Sequence, residues 1–320
     1  PPLFQAEDGI RDMPTGLVGS EMCIRDRPKG MPEWMMINSM EPSHFDAGTC
    51  YIAGTKYKTG DYNPYLYKTT DYGKTWKKIT NGIPNEHFTR VLREDPLKKG
   101  LLYAGTEWGM YVSFNDGTNW QKFQLNLPIV SITDLALKEN NLIVATQGRS
   151  LWILDDLSLL HQLASVEGKK NYLFKPKDSY RMGGASRKGS LTTGTNHPSG
   201  VMVYFNVDDI EEKEVKLSFL KMNNDTIKTF SSKGKKDKLE VKKGNNLFVW
   251  NSRGDGAEEL DGMILWWATL RGPQAVPGTY KVVLEAGDEV LSQNFNILPD
   301  KNAETDIQGM QRQYDFITDV

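Results

Sequence analysis

Acidic side chains beside a histidine or an arginine are the residues of this chain with the most chemistry to offer. Asp46 lies two residues after His44, Glu94 and Asp95 follow Arg93, and Asp134 stands in an alternating run. Two carboxylates facing each other across a cleft are the apparatus of glycoside hydrolysis, one serving as acid and the other as base or nucleophile. Asp46, Glu94 and Asp134 are therefore candidate catalytic groups, each near a predicted strand end where a side chain can face a channel. Each also has a plain structural role open to it, a loop hydrogen bond for His44 and Asp46 or a turn before Pro96 for Glu94 and Asp95. Arg93 and Glu94 point to opposite faces of a strand, so only one of them can line a given surface. Arg149, between Gly148 and Ser150, is the cation best placed to face a channel. Tyr57, Tyr62, Tyr65 and Trp108 fall near loops, where rings can stack on sugars or peptide side chains; packing within a sheet is their competing role. His44, Arg149 and Trp108 are the candidate binding groups.

Other chemistries find little support. His44, His87, His161 and His197 never fall at ligand spacing, so no metal site is expected. Met182-Gly183-Gly184-Ala185 lacks the Gly, Lys and Ser/Thr of a phosphate loop, and no cofactor is expected. Thirty-nine basic residues against 41 acidic ones create no field for nucleic acid or an anionic membrane. The run Lys233 to Lys243 reads as a solvated hairpin. Apolar stretches such as Met263 to Ala268 are too short to span a bilayer. Cys50, next to Tyr51 and Ile52, reads as a strand residue rather than a nucleophile.

The elements that must position these groups are repeated. Thr69-Thr70-Asp71-Tyr72-Gly73-Lys74-Thr75-Trp76 has a worn copy in Ser113-Phe114-Asn115-Asp116-Gly117-Thr118-Asn119-Trp120, starting 44 residues later. The acid or amide (Asp71, Asn115) can bond amides ahead of it and close a turn, and glycine (Gly73, Gly117) supplies the positive φ. A hydroxyl at the seventh position (Thr75) can tie back to the acid, and the tryptophan can bury its ring between sheets. A second repeat runs Tyr51-Ile52-Ala53-Gly54-Thr55, Leu102-Tyr103-Ala104-Gly105-Thr106 and Ile143-Val144-Ala145-Thr146. Small residues there suit the crowded inner edge of a propeller blade. The spacing predicts three blades, over Met35 to Thr80, Thr89 to Leu125 and Ser131 to Asp156, with Tyr172-Leu173-Phe174 as an outer strand of the third.

Leu157 to Ala164 predicts a short helix, and residues 176–199 read as a linker, Gly/Ser/Thr-rich from Met182 onward. Period-2 alternation returns in Val201 to Phe205, Val215 to Leu220, Thr226 to Phe230, Leu247 to Trp250, Ile264 to Trp267 and Tyr280 to Leu284. Residues 200–298 thus read as one β-sandwich of Ig-like type, followed by a tail over 299–320 that is a candidate helix. The expected fold class is all-β: a partial β-propeller of about three blades over 28–175, then the sandwich. Residues 1–27 share no periodicity with the rest and resemble translated sequencing-adapter DNA. Natural sequence is then expected to begin near Pro28, with no signal peptide in the fragment. Since propellers close with roughly four to eight blades, further blades are expected upstream.

The two turn motifs resemble the Asp-box, or bacterial neuraminidase repeat, which implies that Thr69, Asp71, Gly73, Thr75, Trp76, Ser113, Asn115, Gly117 and Trp120 are structural. Gly244 to Asn251 and Pro277 to Tyr280 resemble Ig-like modules of secreted bacterial proteins. Glu41 to Thr49, Pro64 to Asp71, Arg93 to Pro96 and Gln147 to Asp156 resemble a family of large bacterial proteins with sortilin-like, Asp-box propellers, often labelled glycosyl hydrolases. The resemblance implies an extracytoplasmic binding or scaffold module for glycan, peptide or protein ligands. Its alternative is a glycoside hydrolase whose catalytic residues lie mostly in other blades.

Overall fold

The computed structural model describes residues 30–182, 198–209, 213–258, 262, 264, 266, 269–300 and 306–319. Residues 1–27, most of the expected linker and much of the Ile264 to Trp267 run lie outside them; Ile264 and Trp266 themselves are in no strand. The chain divides into two compact units, with the boundary between Leu157 and Ser158.

The first unit holds three antiparallel meanders. The first sheet comprises β1 (Met36–Pro42), β2 (Cys50–Lys56), β3 (Asp61–Thr69) and β4 (Lys77–Lys78). The second comprises β5 (Thr89–Glu94), β6 (Leu102–Thr106), β7 (Gly109–Ser113) and β8 (Gln121–Lys122). A third, of three strands, comprises β9 (Ile132–Lys138), β10 (Asn141–Thr146) and β11 (Leu151–Leu154). The partial propeller expected from the repeats is thus present as blade-like sheets in the expected order. Tyr172-Leu173 is the exception. It pairs with Asn206 and Phe205 in the second unit rather than extending the third sheet.

Side-chain alternation explains the stacking. Tyr51, Ala53 and Leu66 leave one face of the first sheet and join Leu92, Leu102, Ala104, Tyr111 and Trp120 of the second in one buried cluster. Ile52, Tyr65 and Tyr67 leave the opposite face and pack with Met31, Met35 and Trp76. The second sheet is covered on both faces, and every residue of β6 and β7 is buried. Gly105 is required at its contact with the third sheet: a Cβ there would stand 2.7 Å from Cγ2 of Ile132 and from Cγ1 of Val91. The third sheet keeps the alternation of a half-covered surface, with Leu151 and Ile153 70% and 60% exposed.

The second unit is a β-sandwich flanked by helices. It contains α1 (Ser158–Val166), β12 (Tyr172–Leu173), β13 (Ser179–Arg181), β14 (Val201–Val207), β15 (Val215–Lys221), β16 (Thr226–Ser231), β17 (Gly244–Trp250), β18 (Gly278–Ala286), β19 (Glu289–Pro299) and α2 (Ile307–Asp319). One sheet has the order β12-β14-β17, the other β13-β19-β18-β15-β16. Val201, Val203, Phe205 and Trp250 face Leu217, Phe219, Val282 and Phe295 across a single core. Phe219 stacks on Trp250 with ring centroids 4.2 Å apart. Lys228, buried in this unit, keeps its charge between Asp237 at 2.7 Å and Asp255 at 2.6 Å.

Candidate functional site

Because each sheet of the first unit is a meander, its turns alternate between two ends. The β2–β3 and β6–β7 turns, the β4–β5 link and the β10–β11 turn share one end. The β1–β2, β3–β4, β5–β6, β7–β8 and β9–β10 turns share the other. Rings gather at the first end, and Asp46, Glu94 and Asp116 lie toward the second.

The ring platform is built on the first two sheets. A single 3-10 turn at Tyr57–Thr59, closed by Gly60 at φ +80°, holds Tyr57 over the β5 strand entry. Its ring stacks on Phe88, with centroids 5.2 Å apart and planes 17° from parallel. Tyr62 tilts toward Phe88 at 6.0 Å. The Arg90 guanidinium lies 5.6 Å from the Tyr57 ring centre and 5.2 Å from that of Phe88. Two nitrogens of Arg90 also grip one oxygen of Glu107, Nε at 2.8 Å and Nη2 at 2.7 Å. The cation is therefore fixed against the rings and neutralised, and its planar fork lets two nitrogens meet one carboxylate oxygen.

Beside it, His87 stacks on Trp108 at 5.9 Å, and its Nδ1 lies 2.7 Å from the Tyr111 hydroxyl. Burial, reinforced by the nearby Lys122, holds the His87 pKa below its usual value. The contact joins the ring to the second sheet whichever of the two groups donates. Trp108 and Tyr62 are 51% and 50% exposed, leaving ring faces open to a ligand. Arg149 sits in the β10–β11 turn at this end and is exposed. Its carbonyl accepts the Trp152 indole N–H at 2.8 Å.

Sequence reading found Tyr57, Tyr62 and Trp108 but not Phe88, Arg90, His87 or Glu107. Phe88 and Arg90 sit two apart at a strand entry and so share a face, which is the signal that could have revealed them. Tyr65, named with these aromatics, is buried instead, its hydroxyl donating to Asp61 at 2.6 Å.

The sequence-predicted acids lie elsewhere, and each is engaged. Asp46 pairs with Lys99 at 2.8 Å, which draws its pKa down. Glu94, 1% exposed, accepts the His44 amide at 2.7 Å and the Tyr51 hydroxyl at 3.2 Å. The Tyr51 hydroxyl also lies 2.7 Å from Asp116, whose other oxygen pairs with Lys68. Burial and the two acids push the Tyr51 phenol well above its ordinary value. Asp95 accepts the amides of Leu97 and Lys98 at 2.9 and 3.0 Å and closes the turn expected before Pro96. Asp134 pairs with Arg93 at 2.8 Å; the same guanidinium reaches Ser39 at 2.6 Å and Glu41 at 3.7 Å. Arg93 thus ties together β1, β5 and β9, and burial pushes Glu41 above the usual carboxylate range. The structure brings His44 and Glu94 together through the His44 amide, while the His44 imidazole lies 3.6 Å from Glu41.

Both repeated turns have closed hydrogen-bond sets. Asp71 accepts Thr69 Oγ1 at 2.8 Å, the Thr75 amide at 2.9 Å and Thr75 Oγ1 at 2.6 Å; Gly73 N donates to Thr69 Oγ1 at 3.0 Å. In the second turn Asn115 accepts Ser113 Oγ at 3.0 Å and the Asn119 amide at 2.9 Å, and Gly117 N donates to Ser113 Oγ at 2.9 Å. The hydroxyl tie is missing there because Asn119 replaces threonine.

Among the described residues no three His, Cys, Asp or Glu side chains are grouped to hold a metal, and no helix is long and apolar enough to cross a membrane.

No protein-family model and no curated protein matches the chain. Among solved structures it is similar to PorZ, a bacterial surface component of the type-IX secretion system of Porphyromonas gingivalis, at 13% identity and TM-score 0.33, covering 82% of this chain and 30% of that one. It is similar to the GH74 xyloglucanase of Xanthomonas campestris at 14% identity and TM-score 0.29, covering 53% and 29%. It is also similar to YCF48 bound to D1 peptide, at 15% identity and TM-score 0.27, covering 54% and 50%. The chain spans half or less of each of these proteins.

Proposed function

We propose that this chain is a binding or scaffold module whose ring platform takes a peptide, glycan or protein ligand. The observation that carries the reading is the clustering of Tyr57, Tyr62, Phe88, His87 and Trp108 at one end of two sheets, with Arg90 locked on Glu107 between them. Tyr62 and Trp108, half-exposed and backed by Phe88 and His87, bind with little loss of side-chain entropy, as recognition surfaces require. Glycoside hydrolysis is the alternative. It is the weaker reading because Asp46, Glu94 and Asp134 are each engaged by a cation or by buried donors. The rest of the reading follows from resemblance: Asp-box turns at 69–76 and 113–120, an Ig-like character for the sandwich, and an extracytoplasmic location.

A glycan and peptide array probed with the chain, and with a Trp108→Ala/Tyr62→Ala variant, tests the binding reading. Specific binding lost in the variant while its melting temperature holds supports it. Turnover of aryl glycosides or sialosides that disappears in Asp134→Asn or Asp46→Asn, with the fold intact, would replace it with hydrolysis.

A further inference from the structure

The second unit holds a cleft of about 350 Å³, bounded by β16, the turn after it and the segments 251–257 and 270–272. Those two segments are close neighbours: Gly254 N donates to the Pro273 carbonyl at 3.0 Å and Ala257 N to that of Leu270 at 3.1 Å. Gly256 and Gly272 permit the approach, because a Cβ on either would collide with the facing main chain.

The charge of the cleft is unbalanced. Lys228, Lys236, Arg253 and Arg271 border it, against the single carboxylate of Asp237. Lys228 holds Asp237 at 2.7 Å and Asp255 at 2.6 Å, so one ammonium takes up both nearby acids. Lys236, Arg253 and Arg271 have no carboxylate partner among the described residues. Arg253 donates Nη1 to the Gly272 carbonyl at 2.8 Å, and Arg181 donates Nε to that of Ala275 at 3.1 Å. The two arginines repel: burial first, then the Arg253 charge, draws the Arg181 pKa down. Guanidiniums anchored on carbonyls in this way keep most of their N–H groups for another acceptor.

Four cations against two carboxylates leave two positive charges. A carboxylate or a phosphodiester would bring one negative charge. A phosphate monoester brings nearly two at neutral pH, on three terminal oxygens that guanidinium forks can grip in pairs. The volume falls in the range of small-ligand clefts, roughly 300–1,000 Å³, and leaves room beside Ala257 and Leu270 for the group that carries the phosphate.

We propose that this cleft binds a small phosphate monoester, with Arg253 and Arg271 on its oxygens and Lys236 as a further counter-charge. The site belongs to the second unit and is separate from the ring platform.

Phosphorus NMR titration of the full chain with glucose 6-phosphate and with glycerol 3-phosphate is the test. A saturable shift with at least one ester is expected near pH 7.5. It should weaken about tenfold near pH 5, where the ester keeps one charge while arginine and lysine keep theirs. Arg271→Gln should weaken binding about tenfold, as loss of one charge-assisted contact does, and melt like the parent chain. Arg253→Lys, which keeps the charge and loses the fork, should also weaken it. Lys138→Gln, at an exposed residue of β9 in the first unit, should leave it unchanged. No saturable shift with either ester, equally tight binding of the monoanion dimethyl phosphate, or equal losses in the Arg271 and Lys138 variants overturns the proposal. Inorganic phosphate binding as tightly as both esters overturns its carrier component.

Discussion

Trp120 donates its indole N–H to the carbonyl of Ile79 at 2.7 Å, bridging the seam between the first and second sheets. Trp76, the same position of the preceding repeat, turns inward instead and donates to Gly73 within its own turn at 3.0 Å. One motif position therefore does two jobs. Trp120, 4% exposed, is a staple between blades, whereas Trp76 is only partly buried.

Trp120→Ala is expected to cost roughly 3–5 kcal/mol, from the cavity and the orphaned carbonyl together. Trp120→Phe should cost less, about 1–2 kcal/mol, chiefly for the lost hydrogen bond. Trp76→Ala should fall near the smaller value because part of its ring is already in water. Urea unfolding of the three variants orders them.

Gly82 lies on the same seam, at φ +96°, where a Cβ would meet the Trp120 carbonyl oxygen at 2.2 Å. The neighbour is main chain and cannot swing aside. Gly82→Ala should destabilise by more than about 1 kcal/mol. Gly148→Ala, at φ +82° but with nothing within 4 Å of the new carbon, should cost only the strain of its backbone. Thermal melts of the pair separate steric clash from backbone preference.

Asp71 has its carboxyl held down to about 2, first by the Thr75 hydroxyl and then by the Thr75 amide. A folded-state value below the unfolded one, about 3.9, means the turn favours the ionised form. Its contribution is complete above about pH 4 and is lost as pH falls through about 2. In Asp71→Asn that pH dependence should vanish, leaving this turn like the second one, where Asn115 cannot titrate. The urea midpoints of both proteins between pH 2 and pH 5 provide the check.

Ile143, Ala145, Leu151 and Ile153 share the uncovered face of the third sheet through the pairs Ile143 with Ile153 and Ala145 with Leu151. The corresponding face of the first sheet, with Ala53 and Leu66, is covered by the second. An apolar sheet face left to water promotes association. Leu151→Lys/Ile153→Lys should lower the weight-average mass in light scattering at raised concentration, without lowering the melting temperature. An unchanged mass would show that this face is not where copies meet.

What the sequence revealed was whatever local chemistry decides. The turns at Asp71 and Asn115 were readable because their side chains close onto amides within four residues. The Ala104-Gly105 pair was readable because crowding at a blade's inner edge excludes larger residues. Tyr172-Leu173 was assigned to the wrong sheet because a two-residue strand carries no register of its own, and Phe205 and Asn206 set its partner. The link from Arg93 to Asp134 joins residues 41 apart on different sheets. Arg90 and Glu107 meet only because β5 and β6 are antiparallel neighbours. Those contacts follow from topology, which no motif in the chain states.

Hydrogen–deuterium exchange with and without the strongest array ligand tests the central claim most directly. Binding at the ring platform predicts new protection confined to residues 57–62, 87–90 and 106–111. Protection centred instead on residues 41–46, 93–95 and 134 would contradict it and turn attention to the engaged carboxylates.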